Sequence, residues 1–204
     1  MAKQIEVPWK RRKIFLTWYT MKVEVIIFIV ISIALVWVSR NTLLNPKSHG
    51  FYRFFAWECI LALVLLNLRA WGHDPLASNQ LVSWGLLLVT SWLPIHAVRK
   101  LKKIGKPSNN ARTDTALFDF EKTTILINSG AFRYIRHPMY ATLLFLAWAA
   151  YLKQFSWIGT VLVLATSILL FLTAKREEKE CLQHFGAAYK SYMQKTKRFI
   201  PFLF

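Results

Sequence analysis

Two short polar groups stand out because their side chains can bind a charged ligand at a membrane surface. One is the run Arg-His-Pro-Met-Tyr from Arg136 to Tyr140, and the other is the acidic pair Glu177-Glu178. Each group lies at the end of an apolar segment, where charged residues are costly unless they serve a function. The pattern indicates a binding site formed where the two groups meet.

Pro138 predicts how the histidine before it is presented. A proline disfavours helix at the preceding residue and is common at the first position of a new helix. His137 is therefore expected at a helix N-terminus, where free backbone N–H groups attract a carboxylate or other anion. Glu177 and Glu178 supply negative charge for an ammonium or sulfonium cation, so the ligand is predicted to be zwitterionic. The alternative is a helix end anchored in lipid headgroups and a solvated acidic face.

Hydropathy identifies the elements that must position these residues. Of the 204 residues, 55% are hydrophobic. A membrane span needs roughly 20 apolar residues, and open sheets cannot cross lipid. The apolar runs cover residues 17–38, 54–71, 80–98, 139–152 and 155–174. The sequence therefore predicts an all-α integral membrane protein with about five transmembrane helices, although the run 139–152 spans only if the protein buries its loop end.

The chain is expected to divide into two regions. Residues 1–98 hold transmembrane helices 1–3, and residues 99–204 form the catalytic region. Within the second region we predict a helical hairpin over 139–174 and an amphipathic tail helix over 175–195 that lies on the cytoplasmic face. The first apolar run is too long for a signal peptide, and no small-residue cleavage site follows it.

The charge distribution predicts orientation rather than a nucleic-acid partner. The formal net charge is +17, with 27 Lys and Arg against 10 Asp and Glu. The cations lie at the ends of apolar runs, which is typical of contacts with anionic membrane lipids and of topology signals. The basic loop 99–136 and the basic tail flank one hairpin, so the site is predicted to face the cytoplasm. Counting back through three spans puts the N-terminus on the opposite face, although that segment is also basic.

Other chemistries lack their sequence signals. The seven glycines are dispersed, so neither a dinucleotide fingerprint nor a P-loop is present. The five histidines and two cysteines show no metal-ligand spacing, and no metal is predicted. Glu58, Asn67 and His96 are polar residues inside apolar runs. Glu58 is a candidate either for lining a pocket that receives the acceptor substrate of a reaction or for pairing with Arg53 or a headgroup.

Over roughly residues 121–201 the chain resembles the isoprenylcysteine carboxyl methyltransferase and phospholipid methyltransferase superfamily. The shared pattern is Gly130-x-Phe132-x-x-x-Arg136-His137-Pro138-x-Tyr140, a hydrophobic hairpin, Glu177-Glu178 and Phe185-Gly186-x-x-Tyr189. The resemblance implies S-adenosyl-L-methionine as cofactor, bound between the last two helices and the tail. It also implies a lateral opening that admits a lipophilic acceptor from the bilayer.

The same resemblance implies individual site residues. The cofactor contacts fall on Thr124, Ile125, Leu126, Ile127, Phe132, His137, Pro138, Met139, Tyr140 and Glu177. The acceptor-side catalytic candidates are Arg136, Arg176 and Glu178. Glu178 would accept a proton if the acceptor were an amine.

Three departures from the family pattern bear on the acceptor. Phe132 replaces a tyrosine and loses its hydroxyl, and Thr124 replaces a histidine. Thr173 stands where the carboxyl methyltransferases place an arginine for the acceptor carboxylate, and Lys175 and Arg176 lie on other helix faces. The acceptor can therefore be isoprenylcysteine-carboxylate-like or another small lipid. Two further readings remain, a reductase of the sterol type that uses NADPH and a non-enzymatic lipid-binding membrane protein.

Overall fold

Helices are the dominant secondary structure of the described residues. The computed structural model describes residues 9–108 and 116–203, with side chains from residue 22 onward, and within these ranges β-structure is limited to two isolated bridges. Six α-helices follow in chain order, α1 Trp9–Leu43, α2 His49–Leu66, α3 Ser78–Ile104, α4 Pro138–Lys153, α5 Trp157–Phe185 and α6 Ala187–Lys195. Among the described residues, four segments are long and apolar enough to cross a membrane, Lys22–Leu43, His49–Leu66, Ser78–Ile104 and Trp157–Phe185. The prediction of an all-α integral membrane protein is confirmed.

The helix α4 is the short arm of the C-terminal hairpin. Its 16 residues measure about 24 Å, less than a hydrocarbon core of about 30 Å. Polar side chains from outside α4 bond its last carbonyl groups. The donors are Asn67 to Ala150, Asn79 to Leu152, Gln80 to Lys153 and Ser83 to Ala149, at 2.7–2.9 Å. These bonds allow a helix that is too short to cross the core to end inside the protein.

The tail differs from the sequence prediction of one amphipathic helix over residues 175–195. Instead α5 continues without a break to Phe185, and α6 is a separate helix of nine residues. The polar run after Ala174 consists largely of good helix formers, so it extends α5. The break falls at Gly186, whose φ of +57° suits glycine and turns the chain toward the site.

Helix packing places the core beside the polar groups. α5 packs most extensively against α2, and α4 against α3. The central cluster contains Ala56, Ala141, Leu170 and Ala174, together with Phe199 of the tail. Small side chains at such contacts let helix backbones approach closely. The predicted division of the chain at residue 98 stays a prediction. Helix α2, which precedes this boundary, packs against α5, which follows it.

Two contacts between distant residues show which helix ends lie together. His49 at the start of α2 lies 2.5 Å from Glu180 on α5, measured from Nδ1 to Oε2. At the opposite end of α2, Arg69 lies 3.2 Å from Glu24 on α1. The part of α1 around Glu24 is therefore at the end of the molecule opposite the C-terminal tail, as counting back through the spans predicts.

Candidate active site

The site is built on an extended segment held by the chain after α6. Lys197 donates its N–H to the carbonyl of Tyr134 at 3.0 Å, and the N–H groups of Arg136 and His137 donate to Lys197 and Arg198 at 2.7 and 3.1 Å. Pro138 then begins α4, and His137 is its N-cap with φ −122° and ψ 64°. His137 is therefore non-helical and sits at a helix N-terminus, as the proline predicts.

Glu178 is the centre of a buried ion-pair network. Its carboxylate accepts a hydrogen bond from Arg136 Nε at 2.8 Å and from Arg198 Nη2 at 2.9 Å. Arg136 also donates through Nη1 to the carbonyl oxygens of Met193 and Thr196. The Glu178 side chain is only 4% exposed. The network ties α5, the extended segment and the tail together.

His137 bridges the two adjacent carboxylates. Its Nδ1 lies 3.5 Å from Glu177 Oε2 and its Nε2 lies 3.5 Å from Glu178 Oε1. The ring stacks on Tyr140 at a centroid distance of 5.5 Å. Burial by itself lowers the pKa of His137, but the nearby carboxylates of Glu177 and Glu178 outweigh it and raise the pKa above the ordinary 6.5. The two carboxylates therefore favour the protonated form of His137.

A pocket opens beside this cluster, between α3, α4, α5, α6 and the loop before α4. Sixteen residues line it, Leu101, Glu121, Thr123, Leu126, Ile127, Phe132, Arg136, His137, Pro138, Met139, Tyr140, Glu177, Cys181, Phe185, Tyr189 and Tyr192. Eight of the ten predicted cofactor residues are among them, namely all except Thr124 and Ile125. The structure thus brings most of the predicted set into one cavity, and their binding roles stay predictions.

The other predicted residues lie outside this lining. Thr124 is exposed and donates through Oγ1 to the carbonyl of Lys106 at 3.0 Å, and Ile125 is also exposed. Arg176 lies over the ring of Tyr52 at 5.8 Å, on the side of α5 that faces α2. Glu178 has both oxygens bonded to arginines, so its position does not support the hypothesis that it accepts a proton from the acceptor.

Sequence reasoning missed several lining residues. Tyr189 and Tyr192 reach the pocket because α6 folds back, and Tyr192 donates its hydroxyl to the carbonyl of Phe132 at 2.6 Å. Burial raises the pKa of both tyrosines, so their hydroxyl groups stay neutral. The Phe-Gly-x-x-Tyr pattern was a usable signal for Tyr189. No local signal pointed to Glu121, which comes from the long loop.

Glu121 adds a second carboxylate to the pocket wall. Its Oε2 lies 3.6 Å from Nη1 of Arg53, which reaches it from α2. Burial raises the pKa of Glu121, although Arg53 opposes the shift. Arg53 thus faces Glu121 rather than Glu58, which instead accepts a hydrogen bond from Ser32 at 2.6 Å.

The two other polar residues of the apolar runs also lie outside the lining of this pocket. His96 stacks on Trp92 at a centroid distance of 5.2 Å, within α3. Asn67 is buried and caps the end of α4. Both residues have packing or hydrogen-bonding roles in the fold.

The fold and the site define a class, a helical membrane protein with a charged pocket at one end of its helices. A family model described as phospholipid methyltransferase matches residues 79–188, more than half of the chain. The chain therefore belongs to the phospholipid methyltransferase family. The matched segment includes α4, α5 and nearly all of α3, which surround the pocket.

One curated relative has a named activity. The chain is 25% identical over 156 residues to methanethiol S-methyltransferase of Pseudomonas deceptionensis. The alignment covers 74% of this chain and 54% of the relative, so the chain spans about half the length of that protein. No solved structure matches the chain.

Proposed function

We propose that the protein transfers a methyl group from S-adenosyl-L-methionine to a lipophilic acceptor that enters from the bilayer. The observation that carries this proposal is the charge pattern of the pocket. Glu121 and Glu177 line it together with Arg136 and His137. S-adenosyl-L-methionine carries two cations, an ammonium and a sulfonium, and one carboxylate, so its charges complement those of the pocket.

The chain supplies a place for each part of this cofactor. The N–H groups at the start of α4, together with His137 in its protonated form, attract its carboxylate. Glu177, beside them, accepts hydrogen bonds from its ammonium. The apolar wall formed by Ile127 and Phe132 suits the adenine ring. When bound, the sulfonium supplies an activated methyl group, and the protein aligns the acceptor with it and excludes water.

Several features favour a lipophilic acceptor. The pocket lies among α3, α4 and α5, and Leu101, Met139 and Phe185 give it an apolar side. Thr173 is buried and donates to the carbonyl of Leu169 at 2.8 Å, so that position offers no cation for a carboxylate. The name of the relative specifies a thiol as its acceptor. We therefore favour a small lipophilic acceptor, with a thiol as one candidate class, over a prenylcysteine carboxylate.

The competing activities have less support. A reductase that uses NADPH needs a site for a nicotinamide dinucleotide, and membership of a methyltransferase family favours methyl transfer instead. A lipid-binding protein without activity gives no reason for a pocket that holds two carboxylates and a histidine. We also propose that the pocket opens to the cytoplasm, which the basic charge of the flanking segments supports.

Two measurements on the detergent-purified protein test the proposal. Isothermal titration should detect micromolar binding of S-adenosylhomocysteine and no binding of NADPH. Incubation with methyl-labelled S-adenosyl-L-methionine and either a total lipid extract or a series of alkane thiols should move the label into the organic phase. The Glu177→Gln variant is the matched negative control. Clear binding of NADPH without any binding of S-adenosylhomocysteine would exclude the methyltransferase assignment.

A further inference from the structure

Glu121 lines the pocket in addition to the residues proposed to bind the ammonium, the carboxylate and the adenine ring. It ends the short 3₁₀ turn Asp119–Glu121 in the loop between α3 and α4. Its side chain is 14% exposed, whereas that of Asp119 in the same turn is 81% exposed. The turn thus presents one carboxylate to the pocket and the other to solvent.

Two contacts fix the direction of the Glu121 carboxylate. Its Oε2 accepts a hydrogen bond from the N–H of Phe118 at 3.0 Å. The same oxygen lies 3.6 Å from Arg53 Nη1, a distance that is too long for a hydrogen bond. Arg53 donates to the carbonyl of Ala116 and lies over the rings of Trp57 and Phe118 at 5.0 and 4.9 Å. Within the described residues, Glu121 Oε1 accepts no hydrogen bond. The turn is therefore anchored to α2, and one oxygen remains available to a ligand.

One charged group of the cofactor has no partner among the residues discussed above, and Glu121 is the remaining carboxylate of the pocket. Glu177 lies beside His137 and the N-terminus of α4, at the end that suits the ammonium and carboxylate of an amino acid. Glu121 lies on the wall that α2 supports through Arg53. The remaining cation of the cofactor is the sulfonium, which must face the acceptor.

We propose that Glu121 binds the sulfonium side of S-adenosyl-L-methionine and thereby distinguishes the charged methyl donor from its neutral product. This inference rests on the proposed function. In the transfer the carbon–sulfur bond breaks, its electron pair stays on sulfur, and the methyl carbon forms a bond to the acceptor nucleophile. The sulfur becomes neutral, so the attraction of Glu121 is lost and the product dissociates more easily than the donor.

The test compares two ligands that differ in this charge. Isothermal titration of wild type, Glu121→Gln and Asp119→Asn is carried out with S-adenosyl-L-methionine and with S-adenosylhomocysteine. We expect Glu121→Gln to bind the charged donor about tenfold more weakly, while its affinity for the neutral product stays within about twofold, because only one ligand loses a charge-assisted contact. Asp119→Asn removes the same charge from the same turn and should change neither affinity.

Kinetics give a second readout. Since the sulfonium charge disperses in the transition state, Glu121 stabilises the bound donor more than the transition state. Glu121→Gln should therefore raise the KM for S-adenosyl-L-methionine without lowering kcat. A fall in kcat without a change in KM would contradict the assignment.

Other outcomes are equally decisive. An equal loss of affinity for both ligands in Glu121→Gln would make Glu121 a loop anchor, and unchanged affinity for both would remove it from the donor site. If Glu121→Gln does not fold, Glu121→Asp keeps the charge, and it should still prefer the donor over the product; loss of that preference in a folded Glu121→Asp would also overturn the inference. Binding of neither ligand by wild type would overturn the proposed function itself.

Discussion

At the residue scale, Glu177 and Glu178 are neighbours with different surroundings. Adjacent helical residues point about 100° apart, so they cannot both face one ligand. Glu177 lines the pocket, whereas Glu178 turns toward Arg136 and Arg198 and is 4% exposed. We therefore propose that Glu177 binds the ligand and that Glu178 positions the extended segment.

Glu177→Gln should weaken the binding of S-adenosylhomocysteine at least tenfold while the protein remains folded. A charge-assisted hydrogen bond in a partly buried site contributes about 1.5–3 kcal/mol, and tenfold in affinity corresponds to about 1.4 kcal/mol. Isothermal titration measures the affinity, and thermal unfolding checks the fold. Unchanged affinity would show that Glu177 does not bind the ligand.

Glu178→Gln should instead destabilise the fold. Removing one partner of a buried ion pair costs about 3 kcal/mol, because Arg136 and Arg198 are left with uncompensated charge. Thermal unfolding in detergent should show a large fall in midpoint for this variant and none for Asp119→Asn, whose carboxylate is exposed. A normal midpoint together with lost turnover would return Glu178 to a catalytic role.

The raised pKa of His137 in the folded protein predicts a pH dependence of stability. A raised pKa means that the folded state favours the protonated ring, so this contribution is fully present below pH 6.5 and is lost as the pH rises through the higher folded pKa. The unfolding midpoint of wild type should therefore fall with rising pH relative to that of His137→Gln. Parallel pH profiles of the two proteins would contradict a raised pKa of His137 in the folded state.

At the element scale, the short helix α4 depends on side chains from α2 and α3. Asn67 is 2% exposed and donates to the carbonyl of Ala150, where water and lipid cannot replace it. The polar side chains of α2 and α3 thus lie where the short helix α4 ends and its last carbonyl groups need donors. The same logic explains why these polar residues interrupt otherwise apolar runs.

Asn67→Leu should lower the free energy of unfolding by about 1–3 kcal/mol, because it leaves a buried carbonyl without its donor. Gln154→Leu is the control, since Gln154 is exposed at the end of the same helix. Thermal or denaturant unfolding in detergent measures both variants. Equal midpoints for both would mean that the cap of α4 contributes nothing to stability.

At the scale of the whole molecule, the pocket, the loop before α4 and the tail lie at one end of the helices. The turn between α2 and α3, with His73, lies at the other end, because α3 crosses between them. The basic residues of loop and tail give this end its predicted orientation toward the cytoplasm. The orientation can be tested with residues whose exposure the structure defines.

Single cysteines at Ser108 and Ser191 should resist an impermeant maleimide in intact cells, and a cysteine at His73 should react. All three positions are exposed. Cys59 and Cys181, which form no disulfide, are first replaced by alanine. Reaction at Ser108 or Ser191 from outside the cell, with protection at His73, would reverse the topology.

Hydropathy and local stereochemistry determined much of this protein from the sequence alone. The apolar runs predicted the membrane helices, because transfer into lipid depends on local composition. Pro138 predicted the N-cap at His137, because its ring restricts its immediate neighbour. The family pattern indicated Tyr140 and Glu177, which share the pocket.

Only the tertiary structure decided how the acidic and aromatic residues divide their roles. Arg136 and Glu178 are 42 residues apart in sequence, and their pairing depends on how α5, the extended segment and the tail meet. Glu121 lies in the pocket wall next to Arg53, which comes from α2. Tyr192 reaches the pocket because the chain turns at Gly186 before α6. Ion pairing, burial and cavity shape depend on contacts between distant segments, which local sequence patterns do not specify.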